Sequence, residues 1–216
     1  MIDLDFAIDG STVEPYAAIP TLRFALRVSN ATPALAIENV MLNCQIRIEP
    51  ARRPYGAIEH ERLADLFGAP ERWGQSLQSF LWTHVNVTVA RFEHDCTVAL
   101  PVPCSFDFNI AATKYFDGLT EGGAPLALLF SGSVFYRDTA DRLQIAQIPW
   151  SKEVYCRLSV NLWRQMMDQY YPNSTWLRIP RALFEELSRY KRQRALPTFE
   201  AALQRLLDAA AVEPAS

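Results

Sequence analysis

Alternation of apolar and polar residues over most of the first 160 positions is the feature that most constrains the fold. Residues 22–28 and 40–48 place apolar side chains on the even numbers and mostly polar or small side chains on the odd ones. Because successive side chains of a strand point to opposite faces, this period of two predicts antiparallel strands with one buried and one solvated face. Residues 126–136, "LALLFSGSVFY", are apolar on both parities and predict a central strand that is covered on both faces.

Helical spacing interrupts this alternation once and replaces it towards the C-terminus. Residues 57–74 carry apolar side chains near helical spacing, which predicts a short helical insertion between strands. Ser159 is a suitable N-cap for a helix that ends before Pro172. A second helix is expected from Pro180 and a third from Pro197 and Thr198.

A run of strands followed by a run of helices predicts an α+β fold: an antiparallel β-sandwich-like body with a helical C-terminal appendage. We assign the body to residues 1–158, with the helical insertion inside it. Residues 159–210 are expected to form a helical segment packed on the body, and residues 211–216 are expected to be a tail.

Charge and hydropathy argue against nucleic-acid and membrane partners. The chain has 21 basic and 24 acidic residues and a net charge of −3, which gives no general attraction to nucleic acid. Its apolar runs are far shorter than the roughly 18 residues that a membrane-spanning helix needs. The first ten residues, "MIDLDFAIDG", carry acids where a secretory signal carries a basic and then an apolar stretch, so we expect a cytoplasmic protein.

Histidine, aspartate and cysteine come together in "FEHDC", residues 92–96, which raises the question of a metal or catalytic site. If the strand that ends near Phe92 pairs with one that runs from Cys96 to Ile110, residues 93–95 form a three-residue hairpin loop. His94 and Asp95 then lie at a solvated tip, and the Cys96 thiol faces the core. The stretch therefore predicts a turn.

The remaining candidate chemistry is sparse. Every cysteine shares parity with apolar neighbours, so we expect buried free thiols of low reactivity; these are Cys44, Cys96, Cys104 and Cys156. Neither the cysteines nor the histidines, His60, His84 and His94, have the spacing of a metal site, and no glycine-rich phosphate loop is present. We predict no metal and no cofactor, and we assign no catalytic residue, although a nucleophile–histidine pair assembled only by the fold stays open.

The most distinctive stretch runs from Trp176 to Arg205, with seven basic and three acidic residues, against a net charge of −5 for residues 1–175. Arginine and tryptophan are enriched at interfaces, so one interpretation of the stretch is a docking surface for an acidic protein. Basic side chains that favour a helix dipole and pack against the acidic body, or weak nucleic-acid binding, are the alternatives. The candidate partner-binding residues are Trp176, Arg178, Arg181, Arg189, Lys191, Arg192 and Arg194.

Phrases spread over nearly the whole chain carry a resemblance to a known family; they are "CQIRIEPARRPY", "LWTHVNV", "LPVPCSFDF", "AATKYF", "LLFSGSVFY" and "YPNSTWLRI". The chain resembles an uncharacterised bacterial family, a domain of unknown function encoded near nickel–iron hydrogenase genes. The resemblance implies an accessory part in hydrogenase assembly or maturation. It transfers no catalytic residue.

These observations favour a non-catalytic, cytoplasmic accessory protein that binds a protein partner, in the assembly of a metalloenzyme such as a hydrogenase. One alternative is an enzyme whose site is assembled between the β body and the C-terminal helices. Another is a chaperone-like protein that pairs an exposed strand edge with client chains.

Overall fold

The computed structural model describes residues 2–33, 35–104, 110–174 and 179–212. Two compact units are present, residues 1–174 and residues 175–216. The strands are β1 (Leu4–Val13), β2 (Thr21–Asn30), β3 (Ile37–Ile48), β4 (Phe80–Val89), β5 (Asp95–Pro103), β6 (Gly123–Arg137), β7 (Leu143–Gln147) and β8 (Glu153–Ser159). The α-helices are α1 (Ala57–Phe67), α2 (Trp73–Ser76), α3 (Ile110–Gly118), α4 (Val160–Tyr170), α5 (Arg181–Gln193) and α6 (Phe199–Val212).

Two antiparallel sheets form the larger unit. The first has the order β1-β2-β5, and the second has the order β4-β3-β6 followed by two strands on the far side of β6. β8 pairs with the first half of β6 and β7 with its second half, so these two strands share one edge of the sheet. The predicted α+β class is confirmed, with a β-sandwich-like body and a helical C-terminal segment.

The core lies where the alternation places it. The even-numbered apolar residues of β2, from Leu22 to Val28, are 1% exposed or less, and those of β3 from Val40 to Ile48 are 2% exposed or less. Phe6 of β1 stacks on Phe130 of β6 with ring centroids 4.3 Å apart, a contact that joins the two sheets. β6 is covered on both faces over residues 124–128, as the apolar run predicts, although Ser131 further along is exposed.

The hairpin predicted around His94 is wrong. β4 pairs with β3 in the second sheet, whereas β5 pairs with β2 in the first, so residues 90–94 cross from one sheet to the other. A single bridge between Ile37 and Phe92 marks the crossing. Sequence spacing suggested a local pairing, but burial is satisfied just as well when the next strand enters the opposite sheet.

The strand predicted from Cys96 to Ile110 ends early. β5 ends at Pro103, and helix α3 begins at Ile110, the last residue of the predicted strand. Ala112, Tyr115 and Phe116 have helical spacing and are 1% exposed or less. A helix of nine residues is too short to be stable in isolation, so α3 is stabilised by its packing on α1 and α4.

An aromatic stack connects the helices to the second sheet. Phe116 of α3 stacks on Trp163 of α4 at 4.3 Å between ring centroids, and Trp82 of β4 contacts Phe116 at 4.9 Å. The Trp163 indole Nε1 donates to Asp117 Oδ1 at 3.1 Å, so the polar atom of this buried ring has a partner.

The helix starts predicted at Ser159, Pro180 and Thr198 are confirmed. The Ser159 hydroxyl accepts the backbone N–H of Leu162 at 3.5 Å, and α4 ends before Pro172. α5 begins immediately after Pro180, and the Thr198 hydroxyl accepts the N–H of Ala201 at 3.1 Å at the start of α6. The helical insertion also forms, as α1 and the short α2.

Gly132 lies at the point where the partner of β6 changes from β8 to β7. Its φ of 137° is outside the range of L-residues, and its carbonyl accepts the N–H of Ile148 at 2.9 Å. A Cβ at this position would lie 2.0 Å from the Met41 carbonyl oxygen of β3. The close approach of β3 and β6 therefore requires glycine.

We expect Gly132→Ala to lower the free energy of unfolding by at least about 2 kcal/mol, because the added methyl meets backbone and the dihedral angle is strained. Urea denaturation followed by circular dichroism measures this change. Gly74→Ala is the control, because a Cβ there meets nothing within 4 Å, and its effect should stay within about 1 kcal/mol. Equal stability of the two variants would contradict the prediction.

Candidate protein-binding surface

The "FEHDC" stretch is part of a structural junction. Buried Asn30 donates its side-chain amide to the carbonyls of Leu35 and Glu93, each at 2.9 Å, and its Oδ1 accepts the N–H of Thr32 at 2.8 Å. His94 and Asp95 are exposed beside it. These hydrogen bonds satisfy backbone groups at the crossing between the two sheets. They join the end of β2 to the segment that precedes β5.

The four cysteines are free thiols, and Cys44 and Cys104 are fully buried. Burial raises the pKa of each of the Cys44, Cys104 and Cys156 thiols to about 12, and burial also raises the pKa of Cys96. The Cys104 thiol donates to the Val102 carbonyl at 3.1 Å. Thiolate is the nucleophilic form of cysteine, so these environments lower the reactivity of the thiols. The prediction of buried thiols is confirmed for Cys44 and Cys104, whereas Cys96 and Cys156 are half-buried.

The histidines lie in three separate environments. His84 is exposed on β4 opposite Gln45 of β3, and His94 is exposed at the sheet crossing. The ring of His60 packs edge-on against Trp73 with centroids 4.6 Å apart. Among the residues that the structure describes, no group of three or more His, Cys, Asp or Glu side chains could hold a metal ion.

Glu59, at the start of α1, is the buried centre of a polar cluster that sequence reasoning missed. Its side chain is 3% exposed and accepts Arg53 Nη2 at 2.8 Å and the Gly56 N–H at 3.1 Å. The N–H and hydroxyl of Thr120 donate to the same carboxylate at 2.8 and 3.1 Å. Burial alone raises the pKa of Glu59, but the bonds from Thr120 and Gly56 and the Arg53 charge together hold this pKa below its ordinary value.

Two tyrosine hydroxyls lie beside this carboxylate. Tyr55 and Tyr115 share a hydrogen bond of 3.0 Å, and the Tyr55 hydroxyl donates to the Pro50 carbonyl at 2.7 Å. Burial raises the pKa of Tyr55 to about 12, and burial with the neighbouring phenol raises the pKa of Tyr115 further. The carboxylate and both phenols form their hydrogen bonds within this cluster and with the adjoining backbone. We therefore interpret the cluster as a structural link between α1 and the turns before β6 and after β3.

The predicted basic residues divide into three groups. Trp176 and Arg178 lie outside the described residues. Arg181 forms an ion pair with Glu185 on the same helix, with 3.1 Å between Nε and Oε1. The third group comprises Arg189, Lys191, Arg192 and Arg194.

Aromatic rings hold two of the later cations. Lys191 Nζ lies 5.1 Å from the Phe199 ring centroid and donates to the Pro197 carbonyl at 3.4 Å, and the Arg194 guanidinium lies 6.0 Å from the Tyr190 ring centroid. Arg189 and Arg192 are exposed, and no carboxylate among the described residues lies within 4.0 Å of either guanidinium. Their spacing of three residues places them on one face of α5.

Apolar side chains of the same unit are also exposed. Phe184 of α5 contacts Phe199 of α6 at 5.2 Å between ring centroids, yet Phe184 is 45% exposed and Leu183 is 51% exposed. On α6, Leu206 and Leu207 are exposed as well. The unit therefore offers both uncompensated cations and apolar side chains, a combination typical of interfaces.

The polar cluster around Glu59 carried one sequence signal. Glu59 follows Gly56 by three residues, the spacing in which an N3 glutamate reaches back to the N-cap N–H. That spacing predicts a helix start. The approach of Thr120, 61 residues further along the chain, has no local signature.

Comparisons with known proteins give one family. The profile described as "Family of unknown function (DUF6084)" matches residues 1–215, and the chain belongs to this family. A search of curated proteins finds no match. Within the described residues, no helix is long and apolar enough to cross a membrane.

We expect Glu59→Gln to lower the free energy of unfolding at pH 7 by about 2–4 kcal/mol, because it leaves the buried Arg53 charge uncompensated. The folded-state pKa of Glu59 is depressed, so its stabilisation is present above the unfolded-state pKa of about 4.3 and is lost as the pH falls through the folded-state pKa. The gap between wild type and variant should therefore narrow below about pH 4. Urea denaturation at several pH values measures it.

Glu61→Gln is the matched control for this variant. Glu61 is exposed on the same helix, and its loss should change stability by less than about 0.5 kcal/mol. A pH-independent difference between wild type and Glu59→Gln would argue against the ionised carboxylate as the source of the stabilisation.

The burial of the thiols predicts their order of labelling. We expect a thiol-specific reagent to modify Cys96 first in the folded protein and to reach Cys44 and Cys104 only after unfolding. Mass spectrometry of peptides from native and urea-treated protein measures the order. Rapid labelling of Cys44 in the native protein would contradict its position in the core.

Proposed function

We propose that this member of the DUF6084 family is a cytoplasmic protein-binding protein, and that the basic face of α5 contacts an acidic surface of its partner. One observation carries the proposal: Arg189 and Arg192 are exposed, one turn apart, and without a carboxylate partner among the described residues. Guanidinium groups match carboxylates in geometry and lose less hydration than ammonium groups on contact, so two adjacent arginines suit an acidic protein surface.

The contrast with the β body supports this assignment. Several surface arginines of the larger unit are paired within the chain: Arg27 with Asp9, Arg137 with Glu38, and Arg142 with Asp138. Such pairs compensate the charge of these side chains internally. On α5, only Arg181 is compensated in this way among the described residues.

The presence of four free cysteines supports the cytoplasmic assignment, because secreted proteins of this kind commonly oxidise their thiols to disulfides. The resemblance to a family encoded near nickel–iron hydrogenase genes names the first partners to test, the hydrogenase subunits and their assembly factors. The high pKa values of the buried thiols favour a role in protein contact over one in which this chain carries the metal through cysteine.

Charge reversal tests the docking face. We expect the double variant Arg189→Glu/Arg192→Glu to weaken binding to the partner by at least about tenfold, equal to about 1.4 kcal/mol, because attraction becomes repulsion. The partner is first recovered from native cells with tagged wild-type protein at low and moderate salt. Its affinity is then measured by calorimetry with purified proteins.

Arg62→Glu/Arg72→Glu is the matched control, since both residues are exposed and lie on the β body. It makes the same change in net charge and should leave the affinity within about twofold once salt screens long-range effects. If both double variants weakened binding equally, the change in net charge would explain the loss of affinity, and the α5 face would not be specifically involved. Unchanged affinity of the α5 variant would remove this face from the interface.

A further inference from the structure

β7 is an edge strand, and no strand among the described residues pairs with its outer side. The N–H of Ile148 donates to the Gly132 carbonyl, and the N–H of Asp138 donates to the Arg142 carbonyl. Antiparallel pairs alternate, so the even-numbered residues of this strand bond to β6. The N–H and C=O groups of Leu143, Ile145 and Gln147 therefore point away from the sheet.

The other edges of the two sheets carry features that block pairing. On β5, the residues whose backbone faces outward include Pro101 and Pro103, which have no N–H to offer. β1 has a bulge between Ile8 and Gly10, and β4 has one opposite Ile46 and Arg47. β8, which continues the β7 edge, places Glu153 and Arg157 at its outward positions.

β7 has none of these features. Its sequence, "LQIAQ", contains no charge and no proline, and Leu143 and Ile145 are 57% and 61% exposed. An uncharged edge with exposed apolar side chains is what natural sheets otherwise avoid, unless a second strand covers it. The contrast with the protected edges indicates that another strand pairs with β7.

A second copy of the same strand can satisfy these outward groups. Leu143, Ile145 and Gln147 are symmetric about Ile145, so an antiparallel copy places Ile145 opposite Ile145 and Leu143 opposite Gln147. All three outward residues then face outward residues, which gives about six hydrogen bonds between the chains. No like charges face each other in this register.

We propose that two copies of this chain pair through their β7 edges about a two-fold axis, which joins their five-stranded sheets into one continuous sheet. The same register brings Trp150 of each copy, 88% exposed and just beyond Pro149, towards the turn at residues 138–142 of the other. Burial of this ring adds apolar area, up to about 200 Å² for a tryptophan, to an interface that the strands alone would leave small.

Sedimentation velocity at increasing protein concentration tests the dimer. We expect the wild-type protein to shift from monomer to dimer and Ile145→Lys to remain monomeric, because two ammonium groups would face each other across the axis. Met41→Lys is the matched control: Met41 is 58% exposed on the same face of the sheet, but it lies on β3, an interior strand. This control should dimerise like the wild type, and circular dichroism should show that both variants are folded.

Cysteine substitutions test the register. Paired Cα atoms about 5.5 Å apart are within disulfide reach, so mild oxidation should link two copies of Ile145→Cys. Two copies of Leu143→Cys should not link, because their Cα atoms would lie about 14 Å apart, but Leu143→Cys should link to Gln147→Cys. Wild-type protein under the same oxidation gives the background from the native thiols.

Each outcome decides the proposal. A dimer that Ile145→Lys abolishes and Met41→Lys retains, with links only in the expected pairs, supports it. A wild-type protein that is monomeric at every concentration overturns it and leaves an extended peptide of another protein as the occupant of the edge. A dimer that survives Ile145→Lys, or equal linking of Ile145→Cys and Leu143→Cys, overturns it as well.

Discussion

The pairing of β3 with β6 is the constraint on which the rest of the larger unit depends. These strands are in continuous register from Asn39 with Phe135 to Ile48 with Leu126, and their inward side chains form much of the core. β4 adds to the outer side of β3, and β7 and β8 share the outer side of β6. Gly132 permits the close contact within this pairing, at the point where the outer partner of β6 changes from β8 to β7.

Polar groups in the core are used to join segments that are distant in sequence. Asn30 ties the end of β2 to the crossing between the sheets, and Glu59 ties α1 to Arg53 and Thr120. Both side chains are nearly inaccessible and have several partners, as buried polar groups require. This saturation leaves the polar atoms of both side chains occupied by partners within the scaffold.

Two surfaces remain on which partners are proposed, and they differ in physical character. The face of α5 with Arg189 and Arg192 is charged and suits an acidic protein. The β7 edge is uncharged and suits another strand, whose backbone groups satisfy its own. Contacts of the first kind weaken with salt, whereas those of the second kind depend little on it, so the two can operate independently.

The sequence by itself determined which residues face the core, because a period of two in strands and of 3.6 in helices is a local property. The burial of the even-numbered residues of β2 and β3, including Cys44, was predictable in this way, as was the burial of Cys104. The helix starts at Ser159 and Thr198 were predictable as well. Only the tertiary structure decided which strands pair. The crossing at residues 90–94, helix α3, and the approach of Thr120 to Glu59 depend on contacts between residues far apart in the chain, which no local pattern encodes. The open β7 edge belongs to the same class, since a strand becomes an edge only when its sheet has been assembled.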